Sequence, residues 1–158
     1  MMNFFRKNYE IVAPISGKVI DLTKVKDRVF ATKMAGDGVA ILADGDIVYA
    51  PWDGVVSLIF ESNHALGMTL DNGIELLIHL GIDTVELKGQ GFVRLIEEGT
   101  RVKVGDPILK INKDFITEKG YSLETPVLIT NTDMLKDLQC NVGIKAVGGK
   151  TIIMTYRT

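Results

Sequence analysis

A chain of 158 residues, 46% hydrophobic and 24% charged, carries enough apolar side chain to bury one core in one compact domain. Lys and Arg number 18 against 20 Asp and Glu, and no block of like charge lays down an electrostatic footprint, which excludes nucleic acid as the expected partner. A single cysteine excludes an internal disulfide framework, and the opening Met-Met-Asn-Phe-Phe-Arg-Lys is too short in apolar residues for a signal peptide or a membrane span. The cytoplasm is the expected location.

In chain order, residues 1–10 read as a flexible tail and 11–158 as a single domain. Short β-branched runs separated by glycine and Asp/Asn turns follow, the pattern of an all-β antiparallel sandwich or barrel. The expected strands are Lys18 to Leu22, Val39 to Leu42, Ile47 to Ala50, Val55 to Phe60, Ala65 to Leu70, Ile74 to Leu80, Phe92 to Ile96 and Thr151 to Tyr156. Turns at Asp44-Gly45-Asp46, Asp53-Gly54 and Asp71-Asn72-Gly73 separate several of them. A helix is expected from Asp106-Pro107, where Asp can cap and proline suits the first position, to Gly120, and a second short one from Asp133 to Leu138. Ala13-Pro14-Ile15-Ser16-Gly17-Lys18-Val19 recurs 37 residues later as Ala50-Pro51-Trp52-Asp53-Gly54-Val55-Val56, which points to two related β units.

The chain has two histidines, His64 and His79, on either side of the Asp71-Asn72-Gly73 turn. A two-residue loop at Asp71-Asn72 sets them directly opposite, and one at Asn72-Gly73 makes them diagonal neighbours on the same face. A three-residue loop reverses the parity and sends the rings to opposite faces. Ser62, two residues before His64, shares its face in a regular strand and can hydrogen-bond a ring nitrogen. A neutral imidazole nitrogen can attack phosphorus while a second imidazole stabilises the phosphoryl oxygens, so the pair suits phosphoryl transfer; the other reading is two half-buried histidines satisfied by hydrogen bonds.

The run His79-Leu80-Gly81-Ile82-Asp83-Thr84-Val85-Glu86-Leu87-Lys88-Gly89, with Gly91-Phe92 after it, resembles the phosphorylation-site signature of the glucose-type IIA proteins of the sugar phosphotransferase system. Phe60-Glu61-Ser62-Asn63-His64-Ala65 is similar to the family's second-histidine motif, and the segments around Val29-Phe30, Gly36 to Ala40, Gly99 to Asp106 and Thr125-Pro126-Val127 extend the likeness over nearly the whole chain. The resemblance implies a barrel-like antiparallel sandwich of the duplicated hybrid-motif type with one or two short helices. It implies a relay in which His79, through Nε2, takes a phosphoryl group from HPr and delivers it to a cysteine of the IIB domain of a glucose-type IIBC permease. His64 would steady the phosphoryl group and Ser62 orient His64. Val29, Phe30, Met34, Ala35, Phe60, Leu66, Leu77 and Leu80 would form the apolar docking surface, with Asp27 and Asp83 as rim acids for arginines on HPr. No cofactor is required beyond the covalent phosphohistidine, and a monomer suits a protein that exchanges partners.

Two other readings compete. A zinc hydrolase would use His64, His79 and Asp83 as ligands, but no further histidine is left for general-base work; a zinc ion shared by the two histidines and a partner's carboxylate is a separate arrangement the pair permits. A biotinyl- or lipoyl-like carrier is suggested by Gly99 to Pro107, but Lys33-Met34 reverses the expected Met-Lys order. Cys140 reads as a buried structural thiol.

Overall fold

A computed structural model of the chain describes residues 8–158. Its strands are β1 (Tyr9–Val12), β2 (Gly17–Asp21), β3 (Asp37–Ala43), β4 (Ile47–Tyr49), β5 (Gly54–Ile59), β6 (Ala65–Leu70), β7 (Glu75–His79), β8 (Phe92–Arg94), β9 (Arg101–Val102), β10 (Pro107–Ile111), β11 (Glu124–Ile129), β12 (Lys136–Cys140), β13 (Lys145–Ala146) and β14 (Ile152–Arg157). Two short α-helices, α1 (Arg28–Ala31) and α2 (Lys113–Glu118), complete the described residues with three single 3₁₀ turns. All paired strands run antiparallel, as the sandwich pattern of short runs and turns leads one to expect. No helix among the described residues is long and apolar enough to cross a membrane.

The eight-stranded sheet has the order β13-β2-β3-β11-β7-β6-β5-β9, and two three-stranded sheets have the orders β1-β14-β12 and β4-β10-β8. These orders are symmetric about the β11–β7 junction, with β2 answering to β5, β3 to β6 and β1 to β4. The seven-residue repeat sits at the centre of this symmetry. Val12 N–H donates to the Pro51 carbonyl and Tyr49 N–H to the Pro14 carbonyl, and each bond maps onto the other under the 37-residue offset. Ala13 and Ala50 are both fully buried there.

Side-chain alternation places the core. On β6 and β7 the even-numbered Leu66, Met68, Leu70, Leu76 and Ile78 point inward, and the register Leu66 to Ile78 and Met68 to Leu76 keeps them on one face. Leu22, Val25 and Phe30 cover the opposite face near Ala40 and Leu128, forming a second small cluster with Ile82.

Several expectations are corrected. Tyr9 and Glu10 pair with Tyr156 and Thr155 in β1, so the expected tail is shorter; residues 1–7 lie outside the described residues. Asp106 does not cap a helix: its carboxylate accepts the Lys103 N–H, and Pro107 opens β10, whose Ile108, Leu109 and Ile111 are buried between β4 and β8. The helix starts one strand later, with Asn112 accepting the Phe115 N–H as its cap, and stops before Gly120 at φ 90°. Instead of a helix over Asp133 to Leu138, a 3₁₀ turn at Thr132–Met134 leads into β12, held by β14. The fully buried central strand β11 was hidden by Pro126; its pairing with β7 begins at Val127, past the proline.

Leu66 is 0% exposed, with its side chain in the core, so it does not belong to a docking surface; Leu80, at 2%, is buried likewise. Leu66→Ala is expected to cost about 2–5 kcal/mol in urea unfolding, against about 1 kcal/mol or less for the half-exposed Leu77→Ala. Equal losses at the two positions would contradict this division of the faces.

Candidate functional site

The two histidines meet, though not by the register expected. Leu70 N–H donates to Ile74 O and Gly73 N–H to Leu70 O, so the turn is a three-residue loop with Gly73 at φ 90°. Alternation then pairs Ala65 with His79, and should have separated the rings. It does not, because His64 precedes the strand. Residues 61–64 form a four-residue loop in which Phe60 N–H donates to Ala65 O, Asn63 N–H donates to Phe60 O, and Asn63 takes a left-handed φ of 58°. His64 leaves that loop with its ring 5.1 Å from that of His79 at 80° between planes.

His79 ends β7. Its Nδ1 lies 2.6 Å from the carbonyl oxygen of Gly81, and since a carbonyl cannot donate, Nδ1 carries the proton and Nε2 keeps its lone pair. Gly81 is required here: it sits at φ 82°, and a Cβ would fall 2.6 Å from Thr84 Cγ2 and 2.7 Å from the Ser122 carbonyl oxygen. Thr84, fully buried, donates its hydroxyl to Leu80 O, and Leu80 N–H donates to His64 O, so one backbone stretch ties both histidines together.

The surround is aromatic and acidic. Phe30 of α1 stands 5.0 Å from the His79 ring and Phe60 5.5 Å from the His64 ring, edge to face. Asp27 caps α1 by accepting the Val29 and Phe30 N–H groups, which seats Phe30 beside His79. Val29 and Met34, 47% and 74% exposed, flank it, with Ala35 half-buried. On the other side a depression of about 220 Å³ is lined by Leu58, Phe60, Gly67 and Leu77 among others. Asp83 is exposed at a left-handed φ of 60°. Burial holds His79 below its ordinary pKa, while the Gly81 carbonyl, Asp27 and Asp83 pull it back up. Burial, helped by the neighbouring His79, pushes His64 down to about 4.

Ser62 lies in the loop rather than in a strand, so alternation says nothing of its face, and no hydrogen bond joins it to His64 among the described residues. The His64 Nδ1 is instead buried without a partner. His64, His79 and Asp83 do not form a three-ligand metal group among the described residues, which removes the geometry the zinc hydrolase reading needs. The sequence reading missed Gly81 and Thr84 as supports of His79; the His-x-Gly spacing was the available signal. It also missed the exposed Val85 in the turn after Asp83.

An NMR titration is expected to find the His64 midpoint near pH 4. Between about pH 6.5 and 4 the unfolded chain then binds more protons at this residue than the folded one, so its contribution to stability is present in full above about 6.5 and is lost as pH falls to about 4. Urea midpoints of wild type and His64→Gln should diverge in that window. Parallel pH profiles would show that His64 titrates as it does in water.

A family model described as phosphoenolpyruvate-dependent sugar phosphotransferase system, EIIA 1, matches residues 9–135. The chain is 44% identical over 147 residues to the PTS system glucose-specific EIIA component of Buchnera aphidicola subsp. Baizongia pistaciae, covering 93% of this chain and 87% of that one. It is 45% identical over 141 residues to the PTS system N-acetylglucosamine-specific EIICBA component of Klebsiella pneumoniae, of which the match takes up 22%. The solved glucose permease IIA from Mycoplasma capricolum superposes with a TM-score of 0.89 at 33% identity, covering 98% of this chain and 99% of that one. By sequence and by fold, the chain belongs to the EIIA type 1 family of the phosphoenolpyruvate-dependent sugar phosphotransferase system.

Proposed function

We propose that this protein relays a phosphoryl group in the cytoplasm, accepting it on His79 Nε2 from the phosphohistidine of HPr and passing it to a cysteine of a IIB domain during glucose-type sugar uptake. The observation that carries the reading is the bond from His79 Nδ1–H to the Gly81 carbonyl, which leaves Nε2 as the nucleophile. The depressed pKa of His79 keeps that lone pair available at neutral pH.

In the first transfer the Nε2 lone pair attacks phosphorus in line, a P–N bond forms, and the bond to the donor imidazole breaks with its electron pair returning to the HPr ring. The Gly81 carbonyl holds the proton on Nδ1 throughout, so the phosphorylated ring stays imidazolium-like and remains a good leaving group. In the second transfer a IIB thiolate attacks phosphorus and the electron pair returns to His79 Nε2. His64 stands against the phosphoryl oxygens as a hydrogen-bond donor, and the negative charge placed beside it raises its proton affinity when it is needed. No cofactor enters either step.

Val29, Met34, Ala35, Phe60 and Leu77 supply the apolar surface for both partners, with the buried Phe30 packed behind them against His79, and Asp27 and Asp83 form its acidic rim. A dry contact excludes water from the labile P–N bond.

Phosphoenolpyruvate, enzyme I and HPr supply the test. Wild type is expected to take up phosphate and His79→Gln to take up none, while His64→Gln is phosphorylated but transfers poorly to a IIB domain. A folded wild type that takes up no phosphate would overturn the relay.

A further inference from the structure

We infer that Arg94 is a positioning residue for His64: its guanidinium, reaching over from β8, clamps the 61–64 loop that aims the second histidine at the first. The inference rests on the relay reading above for its functional consequence, and on geometry alone for the positioning.

Arg94 Nε donates to Asn63 Oδ1 at 2.6 Å, and Nη2 lies 3.4 Å from the Phe60 carbonyl oxygen. Asn63 lies in the loop and Phe60 immediately precedes it, so the two acceptors bracket its turn. Phe60 O already accepts the Asn63 N–H at 2.8 Å, so the guanidinium closes a small ring of bonds around the reversal. Four residues on, Glu98 Oε2 accepts the Ile59 N–H at 2.8 Å, so the stretch from Arg94 to Glu98 grips the end of β5 and the loop together.

The loop needs an outside hold. His64 is 5% exposed and makes no ring hydrogen bond through Nδ1, so nothing polar at that atom fixes the ring. What sets it is the backbone leaving Asn63 at φ 58° and the edge-to-face contact with Phe60. A left-handed backbone on a residue with a Cβ is a minority conformation, and a side-chain bond from Asn63 to a fixed cation favours it over the alternatives. Arg94 itself is fixed through the pairing of β8 with β10, opposite Leu109. It makes no ion pair among the described residues, so its charge-assisted bonds go to the loop.

Arg94 is exposed, and a rival role is direct electrostatic contact with a partner or with phosphate. Asn63→Gly separates the two, because glycine keeps the left-handed backbone and the Arg94 charge but removes the acceptor. Arg94→Ala, Arg94→Lys and Asn63→Gly should be compared in HPr-driven uptake, in onward transfer to IIB, and by NMR of the His64 ring. The expected result is that Arg94→Ala and Asn63→Gly both slow onward transfer by about tenfold, a loss far exceeding that in uptake at His79, with the double variant no worse than either. The His64 ring resonances and its contact with Phe60 should shift alike in both, and Arg94→Lys, which cannot bridge two acceptors, should rescue only in part. An Asn63→Gly protein with wild-type transfer and an unmoved His64 ring would overturn the inference, as would full rescue by Lys. The ring spectra are read without any phosphate, so a failed relay and a failed clamp remain distinguishable.

Discussion

A hydrogen bond between an imidazole and the carbonyl two residues ahead of it decides the chemistry of this molecule. His79 Nδ1 reaches Gly81 O only because the chain turns back at once, and it can do so only with glycine at φ 82°, where Thr84 and the Ser122 carbonyl leave no room for a methyl group. Thr84 in turn is held by Leu80 O, Leu80 by His64 O, and Ile82 by Ser122 O. The tautomer and ring direction of His79 are therefore properties of one short run of backbone, which the Leu80 N–H bond ties to the backbone of His64. Each is fixed before any partner arrives, so none of the ordering has to be made at the moment of transfer.

The sandwich holds this run still by an economy of duplication. Two β units related by the 37-residue repeat exchange reciprocal bonds at Val12–Pro51 and Tyr49–Pro14, and the long sheet grows outward from their junction on β7 and β11. The histidines sit on one side of that symmetry, where β7 ends and β6 begins, close to the best-paired part of the sheet. The corresponding end of β3 carries Gly36 and Asp37 instead, so chemistry has been placed on one half of a scaffold whose symmetry serves packing alone.

Much of this was legible in the chain itself. Alternating β-branched runs located the strands from Lys18 to Leu70 to within one or two residues because glycine and Asp/Asn turns bound several of them. The signal failed where context overrode propensity. Pro126 concealed a central strand, since a proline is tolerated there only because pairing with β7 starts after it. Asp106-Pro107 imitates a helix start but closes a turn before a buried strand, and only the partners β4 and β8 reveal which. The meeting of His64 and His79 was anticipated from a wrong register: the rings meet because a four-residue loop releases His64 from the alternation that governs Ala65 onward. Leu80 lies within the His79 motif and Leu66 just past the His64 one, but both face inward, a distinction that residue type does not carry.

The departures from local ease are not scattered. Among the described residues five other than glycine have positive φ, namely Lys33, Asn63, Asp83, Lys88 and Asp137. Asn63 abuts His64, Asp83 and Lys88 bound the turn after His79, and Lys33 ends the helix that carries Phe30; Asp137 alone lies elsewhere, in a bulged edge strand. The buried, unpartnered Nδ1 of His64 belongs to the same neighbourhood, and such an atom costs about 1–3 kcal/mol. A sandwich with a continuous core can sustain these costs, whereas selection for stability alone would remove them. Their concentration around two rings argues that the geometry of the pair, rather than the packing of the loops, is what this part of the fold is shaped to keep.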